Sequence, residues 1–71
     1  MNSKQIIAMW TSAMLQGYAR EKSVPGDALP EFASEHGLPA FLIDNYELLH
    51  LYPDAAVFEE LDKHLSECLY G

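Results

Sequence analysis

Cysteine is nearly absent from this chain. Cys68 is the single thiol in 71 residues, so no intramolecular disulfide can form. A domain of this size retains only about 3–5 kcal/mol of stability from its core, and the usual supplements are disulfides, a structural metal or a partner chain. The sequence has no paired Cys/His spacing that would build a zinc site. Basic residues are scarce too, four against eleven acids, for a formal net charge of −7. Phosphate contacts need clustered Lys and Arg, so nucleic acid is excluded as a partner and anionic membrane surfaces are disfavoured. No apolar run approaches the roughly 20 residues of a membrane span. Also missing are a Gly-rich phosphate loop, a Ser/His/Asp arrangement and any useful length of strand-like alternation.

Apolar residues are plentiful, at 49% of the chain, which argues for a folded globule formed as one domain over residues 1–71. Charge is unevenly distributed. Residues 1–22 carry Lys4, Arg20 and Lys22 against Glu21, a balance of +2, whereas ten acids face Lys63 alone thereafter, a balance of −9. Such a field attracts a basic protein surface, and it also serves simply to keep a small protein soluble. Lys4 ahead of Ile6-Ile7-Ala8-Met9-Trp10 superficially resembles a signal peptide. Thr11, Ser12 and Gln16 interrupt that run, and the segment reads better as an amphipathic helix. A lone thiol fits a reducing compartment, so the expected location is cytoplasmic.

The fold class predicted is all-α, a compact bundle of about four helices with short loops. The first helix spans about 3–22, with Ser3 as N-cap and Arg20 and Lys22 in the last turn. Its apolar half holds Ile6, Ile7, Met9, Trp10, Ala13, Met14, Gly17 and Tyr18, and Thr11, Ser12 and Gln16 fall opposite. That arc is wider than the ~100° stripe of a surface helix, which makes this helix either central or shared with a partner. Gly17 within it points to close approach of another backbone. Asp27 caps a second helix that ends at His36 and stops at Gly37. A third helix covers about 39–50, with Pro39 in its first turn and Phe41, Leu42, Tyr46, Leu48 and Leu49 along one stripe. Pro53 starts a fourth, about 54–69, striped by Val57, Phe58, Leu61, Leu65, Cys68 and Leu69.

Few of these residues carry chemistry. His36, His50 and His64 are assigned to three different helices, without the neighbouring ligands of a metal site. His36 suits a helix C-terminus, His64 flanks the core stripe, and Cys68, beside Glu67, reads as core packing. Glu59, Glu60 and Asp62 form an acidic surface with no cleft to bury one of them. No catalytic residue, metal or cofactor site is predicted. Trp10 is either core or an interface anchor, and Tyr18, Tyr46, Tyr52 and Tyr70 have the same two options. Asn45 lies in the middle of the third helix's apolar stripe, where its amide needs hydrogen-bond partners. It either bonds a neighbouring helix and fixes packing register, or forms a recognition surface with Tyr46 and His50.

The run Asn45-Tyr46-Glu47-Leu48-Leu49-His50 resembles a short bacterial helical family catalogued as domain of unknown function 3791. Tyr18-Ala19, Phe32 ahead of Gly37-Leu38, and the Val57 to Leu65 segment also fit, so the likeness covers roughly residues 6–66. Gln16 departs from it, since the family pattern leans towards an acid there. The resemblance implies a small helical fold and assigns no activity. It further implies an association with ADP-ribosyltransferase-like proteins, to which this chain would be an antitoxin or immunity-like partner.

The leading expectation is a non-catalytic protein-binding module. Trp10, Asn45, Tyr46 and His50 would meet the partner, and Glu59, Glu60 and Asp62 would steer a basic surface. One alternative is self-association through the first helix. Another is a small-ligand or metal-binding domain using His50 and His64.

Overall fold

The first helix starts one residue earlier than its serine suggests. In the computed structural model, which describes residues 2–70 and side chains through Cys68, Asn2 is the N-cap of α1 (Ser3–Glu21). The Gln5 backbone N–H donates to Asn2 Oδ1 at 2.9 Å, and the Asn2 N–H donates back to Gln5 Oε1 at 3.2 Å. This reciprocal box needs an acceptor three residues before a glutamine, and only Asn2 stands there.

The other end closes without glycine. Lys22 is the C-cap, Ser23 takes a left-handed φ of 60°, and the Val24 N–H reaches the Ala19 carbonyl at 2.8 Å. With the Ser23 N–H on the Arg20 carbonyl, these bonds complete a Schellman stop. A side chain at that φ costs about 1–2 kcal/mol.

Four more helices follow among the described residues: α2 (Leu29–Glu35), α3 (Leu38–Asp44), α4 (Tyr46–Leu49) and α5 (Asp54–Tyr70). Asp27 caps nothing. It sits in a turn closed by the Ala28 N–H on the Pro25 carbonyl, and Ala28 occupies the N-cap of α2 without a side-chain bond. Gly37, at φ 63°, both stops α2 and begins α3, so α3 follows α2 almost without a loop.

Asn45 divides the expected third helix in two. Its backbone sits at φ −110°, ψ 14°, and its Nδ2 donates to the Phe41 carbonyl of its own helix at 2.8 Å. The amide therefore does not reach a neighbouring helix, as the register reading required. Asparagine competes for backbone acceptors and ends helices from within. The break resets the helical phase. Leu42 and Leu49 are buried, Phe41 and Tyr46 half-buried, and Leu48 is turned out at 55% exposure.

Met14, Tyr18, Ala33, Leu38, Leu42, Leu49, Val57 and Leu61 form the core, with all five helices represented. The face of α1 that joins it is turned towards Thr11 and Leu15. Thr11, expected outside, is buried, whereas Ile6, Met9 and Ala13, expected inside, are exposed. The cause is where the neighbours sit: α3 packs most extensively on α1, with α2 beside it and α5 against the Gly17 flank. Gly17 does permit a close approach, but by a ring. A Cβ there would lie 3.0 Å from Phe58 Cζ.

On α5, Val57 and Leu61 are fully buried, and Phe58 and Leu65 are half-buried. Cys68 is exposed, not core, with its Sγ at the edge of the packing, 3.8 Å from the His36 carbonyl that ends α2. Leu69 and Tyr70 lie outside the described side chains. The end of α2 is tied to α5 by His64, whose Nε2–H donates to the His36 carbonyl at 2.8 Å while its ring lies 4.5 Å from that of Phe41. No described helix is long and apolar enough to cross a membrane.

Replacing Ser23 with Gly relieves the left-handed strain at α1's end. The expected outcome in urea unfolding is a gain of about 0.5–1 kcal/mol, after allowing for the added freedom of the unfolded chain.

Candidate functional site

Three of the expected recognition residues do meet. Trp10 on α1 makes an edge-to-face contact with Tyr46 at 5.1 Å, and Tyr46 stacks on His50 at 4.4 Å and 9° between planes. The row exists because α4 is a single turn that begins at the Asn45 break and places Tyr46 and His50 one turn apart. His50 Nδ1–H donates to the Tyr46 carbonyl at 2.6 Å, which fixes the ring over the tyrosine. Trp10 and Tyr46 are half-buried and His50 is exposed. Asn45 lies at the base of the row, its amide engaged with Phe41.

The acids of α5 stand apart from this row. Glu59 is exposed, and Glu60 is half-buried and pairs with Lys63 at 3.3 Å. Asp62 is not a free surface acid. It accepts from the Tyr18 hydroxyl at 2.6 Å and from Lys22 Nζ at 3.2 Å, and Lys22 also lies 5.7 Å from the Tyr18 ring centre. The Tyr18 hydrogen bond, assisted by Lys22, holds the Asp62 carboxyl below the usual carboxylate range. Burial, reinforced by Asp62, pushes the Tyr18 phenol far above its ordinary value. These three side chains clamp α1 to α5.

Two of the three histidines are committed to backbone carbonyls, His50 to that of Tyr46 and His64 to that of His36, and the His36 ring lies 5.0 Å from that of Phe32. No group of three metal-binding side chains occurs among the described residues. Cys68 Sγ lies 3.6 Å from His64 Nε2, whose proton is already directed to His36.

Two clefts, not anticipated from the sequence, run along α1. The larger, about 610 Å³, lies between α1, α2 and α3, and no charged residue lines it. The smaller, about 430 Å³, lies at the start of α1 against the α3–α4 junction and includes Asp44 and Glu47. Small residues open the larger cleft, with Ala8 and Ser12 on α1 facing Ala33 and Ala40. Their i, i+4 spacing on α1 was the available sequence signal. Thr11 also lines this cleft, and its buried hydroxyl has no hydrogen-bond partner among the described residues. Around and beyond the clefts, Ile43, Leu48, Leu51 and Tyr52 are exposed.

No family model matches the chain, and no curated protein or solved structure matches it either.

Two outcomes follow from these side chains. Thr11→Val keeps the shape and removes an unpaired buried hydroxyl, so thermal unfolding should show a stability gain of about 1 kcal/mol. Tyr18→Phe should cost about 1 kcal/mol at neutral pH, less than a buried charge-assisted bond because Asp62 is 46% exposed. Asp62 has a lower pKa folded than unfolded. Its contribution is therefore full above the ordinary carboxylate value, about pH 4, and fades as pH falls through the folded value. The raised Tyr18 pKa keeps that residue's contribution intact below about pH 10 and removes it as pH rises through the folded value. Carboxyl carbon NMR of the Phe variant should show Asp62 titrating at higher pH, and an unmoved midpoint would contradict the clamp.

Proposed function

We propose that this chain is a non-catalytic protein-binding module that meets its partner through apolar side chains on α1, α3 and the α4–α5 turn. One observation carries the reading. Ile6, Met9, Ile43, Leu48, Leu51 and Tyr52 are all exposed, between 39% and 73%, on a domain with only 4840 Å² of surface. Scattered apolar residues are ordinary, but Ile43 and Leu48 line one cleft together, and such grouped surface marks interaction sites. The aromatic row Trp10–Tyr46–His50 lies between the α1 flank and α4 and supplies rigid side chains of the kind that anchor interfaces.

Of the three α5 acids expected to steer a basic partner, Asp62 and Glu60 are engaged with Lys22 and Lys63, so steering falls to exposed Glu59 and the net charge of −7. An ADP-ribosyltransferase-like partner, with this chain as its antitoxin or immunity-like antidote, is a candidate that rests on the family resemblance alone, whose specific part is residues 45–50. Self-association is a second reading, favoured by α1. From Ser3 to Arg20 that helix has no acid, and it exposes Ile6, Met9 and Ala13.

The test is affinity capture from the native host with the intact chain and with Met9→Lys, Ile43→Lys and Leu51→Lys variants, washed at low and high salt. The wild type should retain one near-stoichiometric partner, released by salt, and at least one variant of unchanged melting temperature should lose it. Retention by all three variants would sink the reading. A mass that doubles with concentration in sedimentation, and reverts with Met9→Lys, would establish the α1 dimer instead.

A further inference from the structure

We infer that the two clefts form one continuous groove that receives an amphipathic α-helix of a partner, apolar along most of its length and basic at one end. This inference rests on the protein-binding reading and names its site and the partner's chemistry. Ile43 is a wall of both clefts. On α1 they follow a single row, with Ser3 and Ile7 lining the smaller cleft and Thr11 and Leu15 the larger. Rows at i, i+4 are the ridges along which helices pack on one another. From Ser3 to Gln16, the last α1 residue of the groove, the helix rises about 20 Å, enough for three to four turns of a docked helix.

The charge pattern selects the occupant. The long central part has no charged side chain, in a chain whose net charge is −7, so it gives no counter-charge to an ionic ligand. One end carries Asp44 and Glu47. A docked helix is therefore matched by apolar side chains repeating every three to four residues and by Lys or Arg in the turn that reaches the α3–α4 junction. The small walls at Ala8, Ser12 and Ala40 let a helix backbone come close, whereas larger residues would fill the space. A second copy is a poorer fit, since two chains of charge −7 repel.

The experiment presents the full chain to a phage-displayed library of amphipathic helices of about 16 residues, with apolar positions held at helical spacing and the terminal turns varied among Lys, Glu and Ser. Selected sequences should be enriched in Lys at one end. A synthetic peptide of the selected sequence should shift the amide resonances of Ala8, Ser12, Ala40 and Glu47. Ala8 is exposed, so Ala8→Arg should leave the melting temperature unchanged and weaken the peptide by about tenfold or more. Asp44→Asn combined with Glu47→Gln should erase the preference for terminal Lys.

Peptides that shift the Ile6–Met9 flank, and are blocked by Met9→Lys but not by Ala8→Arg, would overturn the groove and leave the protein-binding reading standing. A library yielding no binder would also overturn it. Doubling of mass without peptide, abolished by Ala8→Arg, would assign the groove to a second copy and overturn the inference. Failure of the protein-binding reading itself would show separately, as no protein retained by the intact chain in the affinity capture.

Discussion

Tyr18 joins the core to the surface, and the packing of the longest two helices depends on it. Its ring is 1% exposed, the largest side chain so completely buried, and its hydroxyl emerges at the one place where Asp62 and Lys22 meet it. A phenol buries apolar area at one end and needs a partner at the other. Here both ends are satisfied, across α1 and α5. In a chain with one cysteine, this clamp and the His64 bond to the α2 terminus do the cross-linking that disulfides provide in other small domains. Both use side chains far apart in sequence, so they form only once the helices have docked.

A second constraint acts through the backbone. Asn45 satisfies its amide on the carbonyl of Phe41 and ends α3 there. One turn of helix then carries Tyr46 to Trp10 and His50 onto Tyr46, and Leu48 outward to the cleft. The aromatic row is thus a consequence of one asparagine's local hydrogen bond, and so is the acidic lining of the smaller cleft, where Asp44 and Glu47 flank the break. Core and surface are coupled here because α3 supplies Leu42 to the interior and Ile43 to the groove from adjacent positions.

Much of this was legible in the residue order. The apolar periodicity of 54–65, Pro39 inside a first turn, Gly37 as a stop and the Ser23–Gly26 break each follow from local chemistry, and each appears where expected. Trp10, Tyr46 and His50 were each singled out from the sequence, but their meeting in one row was not anticipated. The exposure of Cys68, the tie between Asp62 and Tyr18, and the burial of Thr11 were not legible. Each depends on which neighbour happens to lie opposite, and a helical wheel contains no neighbour.

The sequence by itself determined that the chain is helical, where most helices begin and end, and that its acids gather after the first helix. Those properties depend on caps, prolines, glycines and the 3.6-residue period, which act within a few residues. Tertiary structure alone decided which side of α1 faces inward, because a helix with apolar residues around half its circumference can bury more than one face. The docking of α2 and α3 chose the Thr11–Tyr18 face, left Ile6 and Met9 in solvent and opened the groove beside Ala8. That choice was made by the summed burial of Leu38, Leu42 and Ala33 against α1, a term no segment has on its own.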